Sequence, residues 1–392
     1  MRKFTTKLFV CVLFSAVFII TLHNYHIQQR NISLLKSKDR YFEFKKAGMK
    51  YILLWTKQEN IPFAYIGQGQ SGFIGRNCEY TNCIVSDNES DLGSTAAFDA
   101  VLFAGPELIG TFFSLPEERL PYQKFVFASI ESPGNYPLCR HNFNGYFNWT
   151  WTYKLDSDLR WGYITIKDAN NSIVGPKKDM NWIPWKEMDP VNATFKKQLK
   201  SKSKAVAWFV SHCQSRSRRE DYAAVLKEEL MVRYDLNIDV YGDCGSYSCP
   251  REEEDKCNEL IAKDYFFYLS FENAFSEDYV TEKLLHPLQN NAVPIVFGGA
   301  NYSRFLPEQS YLNARDFTTD ELAGTINDLI NNPDDYAEYF RWKKYYSYHK
   351  TTKVKETNEY CQMCAALNDD KLIETTSVYD SFKEFWEVYT FC

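Results

Sequence analysis

Short apolar runs that alternate with helical segments in two successive blocks most limit how this chain can fold. Each run spans three to seven residues, and such runs are typical of strands buried on both faces of a parallel sheet. The predicted strands are 51–55, 83–85, 99–104 and 124–130, then 205–210, 238–241, 266–271 and 293–297. The predicted helices are 218–232, one from about 281, 320–331 and 333–345. This order predicts an α/β protein with two Rossmann-like domains facing a cleft.

A stretch that is rich in proline and lysine, 175–203, separates the two blocks and is the predicted linker. The length of 392 residues fits two domains of ordinary size. We therefore expect an N-terminal domain over 49–195, a C-terminal domain over 204–345 and a final segment over 346–392.

The N-terminus predicts a membrane anchor. Residues 1–7 carry Arg2, Lys3 and Lys7, and residues 8–22 contain no charge. A cleaved signal peptide is the alternative, but the residues after 22 supply no small-residue cleavage site. Because basic residues stay on the cytoplasmic side, we expect a cytoplasmic tail over 1–7, one transmembrane signal-anchor helix over 8–22 and a stem over 23–48.

The glycosylation sequons and the cysteines both indicate that the part of the chain after the expected anchor lies in the lumen of the secretory pathway. Six Asn-x-Ser/Thr sequons occur, at Asn31, Asn88, Asn148, Asn170, Asn192 and Asn301. Of 11 cysteines, one lies in the expected anchor, and the even number beyond it is compatible with disulfides. The net charge of −6 argues against a general nucleic-acid binder, which would need a basic surface.

Three local motifs each allow two interpretations. The Gly67–Gly72 segment matches G-x-G-x-x-G, but no helical pattern follows it, so we predict a loop. Asp156-Ser-Asp158 has the spacing of a metal and diphosphate ligand pair, and the alternative is that these acids brace a loop. The arginines of 216–219 follow a predicted strand and begin a helix, which suits a diphosphate or a solvated basic face.

The segment 265–299 carries the most information. Glu272 and Asn273 follow a predicted strand, and the carboxyl edge of a parallel sheet is where α/β proteins bind ligands. Thr281 is the predicted N-cap of the next helix, which places Glu282 and Lys283 in its first turn near the same edge.

These motifs together resemble the α1,3/4-fucosyltransferase family, glycosyltransferase family 10, in an invertebrate-like form. The matching segments are Glu131-Ser-Pro133, 147–158, Val210-Ser211 with Arg218, 268–273, 278–284, 292–296, 301–307 and 339–342, and they occur in the family order. The resemblance covers about residues 50–365. It implies a GT-B fold, GDP-fucose as substrate in the C-terminal domain, and inverting transfer to N-acetylglucosamine of a glycan.

The resemblance also implies a role for individual residues. Glu131 matches the general base, and Lys283 and Arg218 match the cations that meet the diphosphate. Glu282 matches the carboxylate at the ribose side of the donor. The other matching donor contacts are Ser211, Tyr268, Asn273 and Tyr153. No metal is required in this mechanism, because fixed cations balance the negative charge that develops on the leaving GDP. Stimulation by Mn²⁺ is compatible with it.

The chain departs from the family pattern at two positions. His212 stands where the family often has Asn, and Pro287 falls one turn into the predicted Thr281 helix, where it should cost a backbone hydrogen bond and kink the helix. In the family, disulfides bring the final segment back to the N-terminal domain. The expected cysteines are Cys78 and Cys83 with Cys361 and Cys364.

The expected activity is α1,3-fucosylation in the Golgi membrane, with the catalytic part in the lumen. A glycan-binding lectin that kept the fold and lost turnover is the alternative. The sequence leaves the acceptor open among core chitobiose, N-acetyllactosamine and LacdiNAc, and leaves the α1,3 or α1,4 linkage open.

Overall fold

The computed structural model describes residues 21–22, 25, 46–56, 62–109, 114–116, 118–138 and 143–386. Residues 8–20 of the expected anchor, most of the expected stem with Asn31, and Cys139 and Cys392 lie outside these ranges. Among the described residues, no helix combines the length and the apolar character that a membrane crossing requires.

The first sheet has six parallel strands in the order β2-β1-β3-β4-β5-β6. The strands are β1 Lys50–Leu54, β2 Cys83–Ser86, β3 Ala100–Ala104, β4 Lys124–Ser129, β5 Trp149–Thr152 and β6 Leu159–Arg160. Every residue of β3, β4 and β5 is buried, and β3 and the centre of β4 are accordingly apolar runs, whereas β5 alternates Trp and Thr. The four strands predicted in this block are confirmed to within one residue at each end.

The second sheet has five parallel strands in the order β10-β9-β11-β12-β13. They are β9 Lys204–Phe209, β10 Ile238–Tyr241, β11 Tyr265–Phe271, β12 Val293–Phe297 and β13 Leu312–Asn313. We call the first sheet with its covering elements the N-terminal lobe, and the second sheet with its covering elements the C-terminal lobe. The predicted α/β class with parallel sheets is confirmed.

Helices cover the sheets and form parts of the connections. In chain order they are α1 Ser71–Ile74, α2 Ala193–Leu199, α3 Arg219–Tyr234, α4 Glu254–Asp264, α5 Leu285–Gln289, α6 Thr319–Asn331, α7 Pro333–Glu338, α8 Glu359–Asn368, α9 Asp370–Glu374 and α10 Phe382–Trp386. The predicted linker therefore contains α2, in which Leu199 is fully buried and Phe195 packs edge to face on Phe340. The prediction of a loop at Gly67–Gly72 is wrong for its last two residues, because α1 begins at Ser71.

Pro287 does not kink a helix. Residues Glu282–Leu284 form a 3-10 turn, and α5 then begins at Leu285, so Pro287 is the third residue of α5. The first N–H groups of an α-helix have no partner within the helix, so proline in this turn removes no hydrogen bond. The chain changes from a 3-10 turn to an α-helix just before the proline, so the predicted loss of a backbone hydrogen bond does not occur.

The final segment returns to the N-terminal lobe. The disulfides Cys78–Cys361 and Cys83–Cys364 join α8 to this lobe, and they pair the four cysteines that the family resemblance brings together. Helix α8 packs on one face of the first sheet through Met363, whereas α10 packs on the other face through Trp386. Both faces of the first sheet are therefore covered in part by the last residues of the chain.

A small antiparallel sheet joins segments that the sequence assigned to different units. Strand β7, Ile164–Asp168, lies between β8, Ile173–Gly175, and β14, Tyr346–Lys350. Ile166 and Met188 share a hydrophobic cluster with Leu284 and Val296 of the C-terminal lobe. Part of the predicted N-terminal domain 49–195 thus packs on the other lobe.

Candidate functional site

The carboxyl ends of the parallel strands in both lobes border one cleft of about 480 Å³. Glu131 follows β4, Asn273 follows β11, and the loop after β9 forms one side. The lining residues are Glu131, Asn135 and Tyr136 of the N-terminal lobe with His212, Gln214, Ser215, Arg216 and Asn273 of the C-terminal lobe. The structure brings together the predicted Glu131 and Asn273, which are far apart in the chain.

Glu131 is held by donors from both lobes. The Tyr279 hydroxyl donates to its Oε2 atom at 2.9 Å, and the Asn135 Nδ2 atom donates to the same oxygen at 3.2 Å. Tyr279 is 1% exposed. Burial, with the neighbouring Tyr163 and the Glu131 carboxylate, raises the pKa of Tyr279, so its hydroxyl remains a hydrogen-bond donor. The sequence did not predict Tyr279 or Asn135 as site residues.

The loop after β9 carries Ser211 and His212, both exposed. A disulfide, Cys213–Cys244, ties this loop to the turn after β10, and the sequence did not predict this pair. A second unpredicted disulfide, Cys249–Cys257, lies in the same lobe.

The arginines after this loop have different environments. The Arg218 side chain is 81% exposed and forms an ion pair with Asp221 at 2.6 Å. Arg219 is 3% exposed, and its guanidinium donates to the Phe271 carbonyl at 2.6 Å and to the His212 carbonyl at 3.3 Å. Burial lowers the pKa of Arg219, and the Glu272 carboxylate partly opposes this. Arg219 is therefore built into the carboxyl edge of the second sheet, whereas the Arg218 side chain is open to solvent and its contact with the diphosphate stays a prediction.

A sequence signal for Arg219 exists in helix α3. The buried residues of this helix are Arg219, Ala223, Leu226 and Leu230, a spacing that places them on one face. Arg219 is thus on the apolar face of α3, and Arg218 precedes that helix as its N-cap with φ of 53°.

Lys283 lies in a buried acidic environment. Its ammonium is 3.2 Å from Glu272 and 3.7 Å from Glu282, and it donates to the Thr281 hydroxyl at 2.7 Å. Burial alone would lower the pKa of Lys283, but the two carboxylates outweigh burial and raise it. The Glu272 side chain is 2% exposed and also accepts a hydrogen bond from the Thr281 backbone N–H at 2.8 Å. Lys283 is therefore a positively charged group at neutral pH.

Glu282 and the predicted tyrosines differ in accessibility. The Glu282 side chain is 44% exposed, which leaves it open to a ligand. Tyr268 is 0% exposed and packs between Phe209 and His286. Tyr153 is 2% exposed and packs edge to face on Tyr279 at a centroid distance of 4.9 Å. The Tyr153 and Tyr268 side chains thus pack in the interior, and their expected donor contacts stay predictions.

Asp156 and Asp158 brace a loop. Asp158 accepts hydrogen bonds from the Thr150 backbone N–H at 2.8 Å and from the Tyr379 hydroxyl at 2.7 Å. Asp156 forms an ion pair with Lys178 at 2.8 Å. Within the described residues, no group of three or more His, Cys, Asp or Glu side chains could hold a metal ion.

The sequons also fall in different environments. Asn88, Asn170, Asn192 and Asn301 are exposed. Asn148 is 6% exposed, and its side chain accepts from the Phe125 backbone N–H at 2.9 Å and donates to the Ser377 carbonyl at 3.0 Å. The prediction of a glycan on Asn148 is corrected, because the folded chain uses this amide in its interior.

Known proteins match this chain over most of its length. The family model "Fucosyltransferase, N-terminal" matches residues 47–164, and "Glycosyltransferase family 10 (fucosyltransferase) C-term" matches residues 199–385. Alpha-(1,3)-fucosyltransferase C of Drosophila melanogaster is 36% identical over 79% of this chain and 70% of its own length. Glycoprotein 3-alpha-L-fucosyltransferase A of the same organism is 29% identical over 88% of this chain and 62% of its own length.

Among solved structures, a crystal structure of an α1,3-fucosyltransferase with GDP-fucose is 16% identical, with a TM-score of 0.49. It matches over 87% of this chain and 97% of that chain.

The family models define the class of this protein as a glycosyltransferase. The relative at 36% identity narrows this class from glycosyltransferases to fucosyltransferases. The chain belongs to glycosyltransferase family 10 and is a fucosyltransferase enzyme of the invertebrate-like form that the sequence predicted.

Proposed function

We propose that this enzyme transfers L-fucose from GDP-fucose to the 3-hydroxyl of N-acetylglucosamine in glycoprotein or glycolipid glycans, with inversion at the anomeric carbon. The observation that carries the proposal is the shared cleft, in which the Glu131 carboxylate faces the loop of residues 212–216 from the other lobe. This arrangement suits a two-lobed GT-B enzyme, in which the acceptor meets one lobe and the nucleotide sugar meets the other.

In the proposed reaction, Glu131 is the general base. Its carboxylate takes the proton of the acceptor hydroxyl as that oxygen attacks the anomeric carbon of fucose. The bond from this carbon to the β-phosphate oxygen breaks on the opposite face, and GDP leaves with the electron pair. The attack and the departure occur on opposite faces, so the α-linked product forms from a β-linked donor.

Fixed cations at the carboxyl edge of the second sheet would stabilise the leaving diphosphate. Lys283 is the first of these, and the exposed Arg218 stays the proposed second. Arg219 is buried with its guanidinium bonded to the Phe271 and His212 carbonyls, and it would hold this edge of the sheet in shape. Ser211, Asn273 and Glu282 stay proposed donor contacts. No metal is assigned a step in this proposal, and Mn²⁺ is expected at most to stimulate the reaction.

The proposal is tested with recombinant residues 31–392 and labelled GDP-fucose. We expect transfer to an N-acetylglucosamine-containing glycan and substantial transfer in excess EDTA. Glu131→Gln should nearly abolish transfer and leave GDP affinity about unchanged, since the amide keeps the shape but does not take the proton. The exposed Glu259→Gln is the matched control and should transfer normally. Glycan binding without any transfer would instead support the lectin alternative.

The acceptor and the membrane anchor are proposals that need their own measurements. A glycan array separates core chitobiose, N-acetyllactosamine and LacdiNAc acceptors and gives the linkage. For the anchor, we propose a single-pass type II protein of the Golgi membrane with a lumenal catalytic part. The full chain should then stay with Golgi membranes, and cleavage of the native chain near His23 would overturn this part.

A further inference from the structure

The Asn135 side chain connects the two lobes at the cleft. Its Nδ2 atom lies 3.2 Å from Glu131 Oε2 and 3.1 Å from Asn273 Oδ1. We propose that Asn135 is a positioning residue, which fixes the orientation of the Glu131 carboxylate and ties it to the C-terminal lobe. The inference rests on the proposed function of Glu131 as the base.

The hydrogen bonds to Glu131 are unevenly distributed over its two oxygens. Asn135 and Tyr279 both donate to Oε2. Among the described residues, no donor is assigned to Oε1. Two donors on one oxygen restrict rotation of the carboxylate and leave the lone pairs of the other oxygen for the acceptor hydroxyl. The two hydrogen bonds at Oε2 therefore set the direction from which Oε1 receives a proton.

The backbone around Asn135 holds its side chain in place. The backbone N–H groups of Asn135 and Tyr136 both donate to the Ser132 carbonyl at 3.0 Å, and the Ser129 hydroxyl donates to the Glu131 carbonyl at 2.8 Å. Glu131 and Asn135 thus belong to one hydrogen-bonded turn. Because this turn already restricts the backbone, the contact between the Glu131 and Asn135 side chains costs less conformational entropy.

On the other side of the cleft, Asn273 belongs to the loop that lines the proposed donor site. Its carbonyl accepts from the Ser217 backbone N–H at 3.1 Å, and the Ser217 hydroxyl donates to the Glu272 carbonyl at 2.7 Å. A shift of this loop would therefore act on Glu131 through Asn135. The amide of Asn135 is suited to this connection, because its nitrogen carries two hydrogens for two acceptors.

Two substitutions separate positioning from a merely structural role. Asn135→Ala removes both hydrogen bonds, and kcat should fall about 10-fold, the effect typical of losing hydrogen bonds to a charged group. GDP affinity should change less than about threefold, because the donor cations are retained. Asn135→Asp places a carboxylate beside Glu131, and the repulsion between the two negative charges favours protonation of the pair. In a plot of kcat/KM against pH, the acid limb should therefore move up by roughly one pH unit.

The control is Asn331→Asp, which adds the same charge on the exposed end of α6 and should leave the profile unchanged. If Asn135 were merely structural, Asn135→Ala would lower kcat only in proportion to a loss of folded protein, measured as a lower melting temperature. Wild-type kcat in Asn135→Ala, with an unchanged melting temperature, would also overturn the inference.

A second readout does not depend on turnover. In protein labelled with ¹³C at glutamate carboxyls, the Glu131 signal is assigned by its loss in Glu131→Gln. This signal should titrate at higher pH in Asn135→Asp than in the wild type, and an identical titration would refute the inference. If the wild type fails to transfer fucose, the proposed function fails, whereas this titration still decides whether Asn135 acts on Glu131.

Discussion

Replacing Lys283 with methionine should destabilise the protein as well as stop transfer. The substitution removes the ammonium that lies 3.2 Å from the buried Glu272 carboxylate and keeps the length of the side chain. Burial already raises the pKa of Glu272, and Lys283 opposes this, so the pKa of Glu272 should rise further in the variant. Within the described part of the chain, Thr281 is then the one residue that still donates to the buried Glu272 carboxylate.

The size of the effect follows from this distance. Two unit charges 3.2 Å apart interact by about 5 kcal/mol at an effective dielectric constant near 20. Lys283 is 20% exposed, so solvent reduces this value. Removal of one partner from a buried pair typically costs 3–5 kcal/mol, and we expect about 3 kcal/mol here. Because a buried Glu with a raised pKa binds a proton that the unfolded chain releases, the loss should grow as pH rises above about 4.5.

Urea unfolding and fucose transfer of a double-mutant cycle measure the two effects separately. The double variant Lys283→Met/Glu272→Gln has no buried charge at this position, so its stability should return to within about 1 kcal/mol of the wild type. Its transfer rate should stay at least about 100-fold below that of the wild type, because the ammonium proposed to face the leaving diphosphate is removed.

The control is Lys178→Met, which breaks an ion pair of 2.8 Å with Asp156 at the surface. This pair should contribute less than about 1 kcal/mol. The reasoning is refuted if Lys283→Met is as stable as the wild type, or if Glu272→Gln fails to restore stability in the double variant.

Three further outcomes are expected. Arg218→Ala should lower transfer at least about 100-fold and leave the free energy of unfolding within about 0.5 kcal/mol of the wild type, because this side chain is 81% exposed. Arg219→Ala leaves two carbonyls without their donor and should lower the free energy of unfolding by about 1–3 kcal/mol, and wild-type transfer in Arg218→Ala would contradict the assignment. Burial lowers the pKa of Lys202 from 10.5 to about 7, so the unfolded chain holds more protons above pH 7. Stability should then rise with pH up to about 10.5, by at most about 1.4 kcal/mol per pH unit, and urea unfolding of Lys202→Met should lack this rise. Peptide mapping of secreted protein should find Asn170 glycosylated and Asn148 unmodified, and a glycan on Asn148 would show that its burial is wrong.

The sequence predicted eight of the eleven parallel strands to within one residue, because burial of both faces makes those runs apolar, whereas β5, which alternates Trp and Thr, and the two-residue strands β6 and β13 were not predicted. Residues such as those of 124–129 must then be apolar or have a hydrogen-bond partner inside the protein. The sequence of the strand shows this requirement even when the neighbouring strands are unknown. The helix that begins at Arg219 and the family motifs around Glu131 and Lys283 were visible for a similar reason, since they are contiguous in the chain.

The sequence could not predict which polar side chains meet across the cleft. Asn135 contacts Glu131 and Asn273, which are separated from each other by more than a hundred residues, and no local pattern encodes that distance. The same limit applies to α2 within the predicted linker and to the pairing of β7 with β14. Arg218 and Arg219 differ by one position, and only the packing of α3 on the second sheet decided which of them is buried.

Local sequence thus determined the strands, the class of fold and the family, because burial and motif spacing act over short stretches of chain. Tertiary structure alone decided the burial of Tyr153, Tyr268 and Asn148 and the hydrogen bonds that orient Glu131. The physical reason is that the environment of a polar or aromatic side chain is set by residues from distant segments, and these segments become neighbours only when each lobe folds and the two lobes pack together.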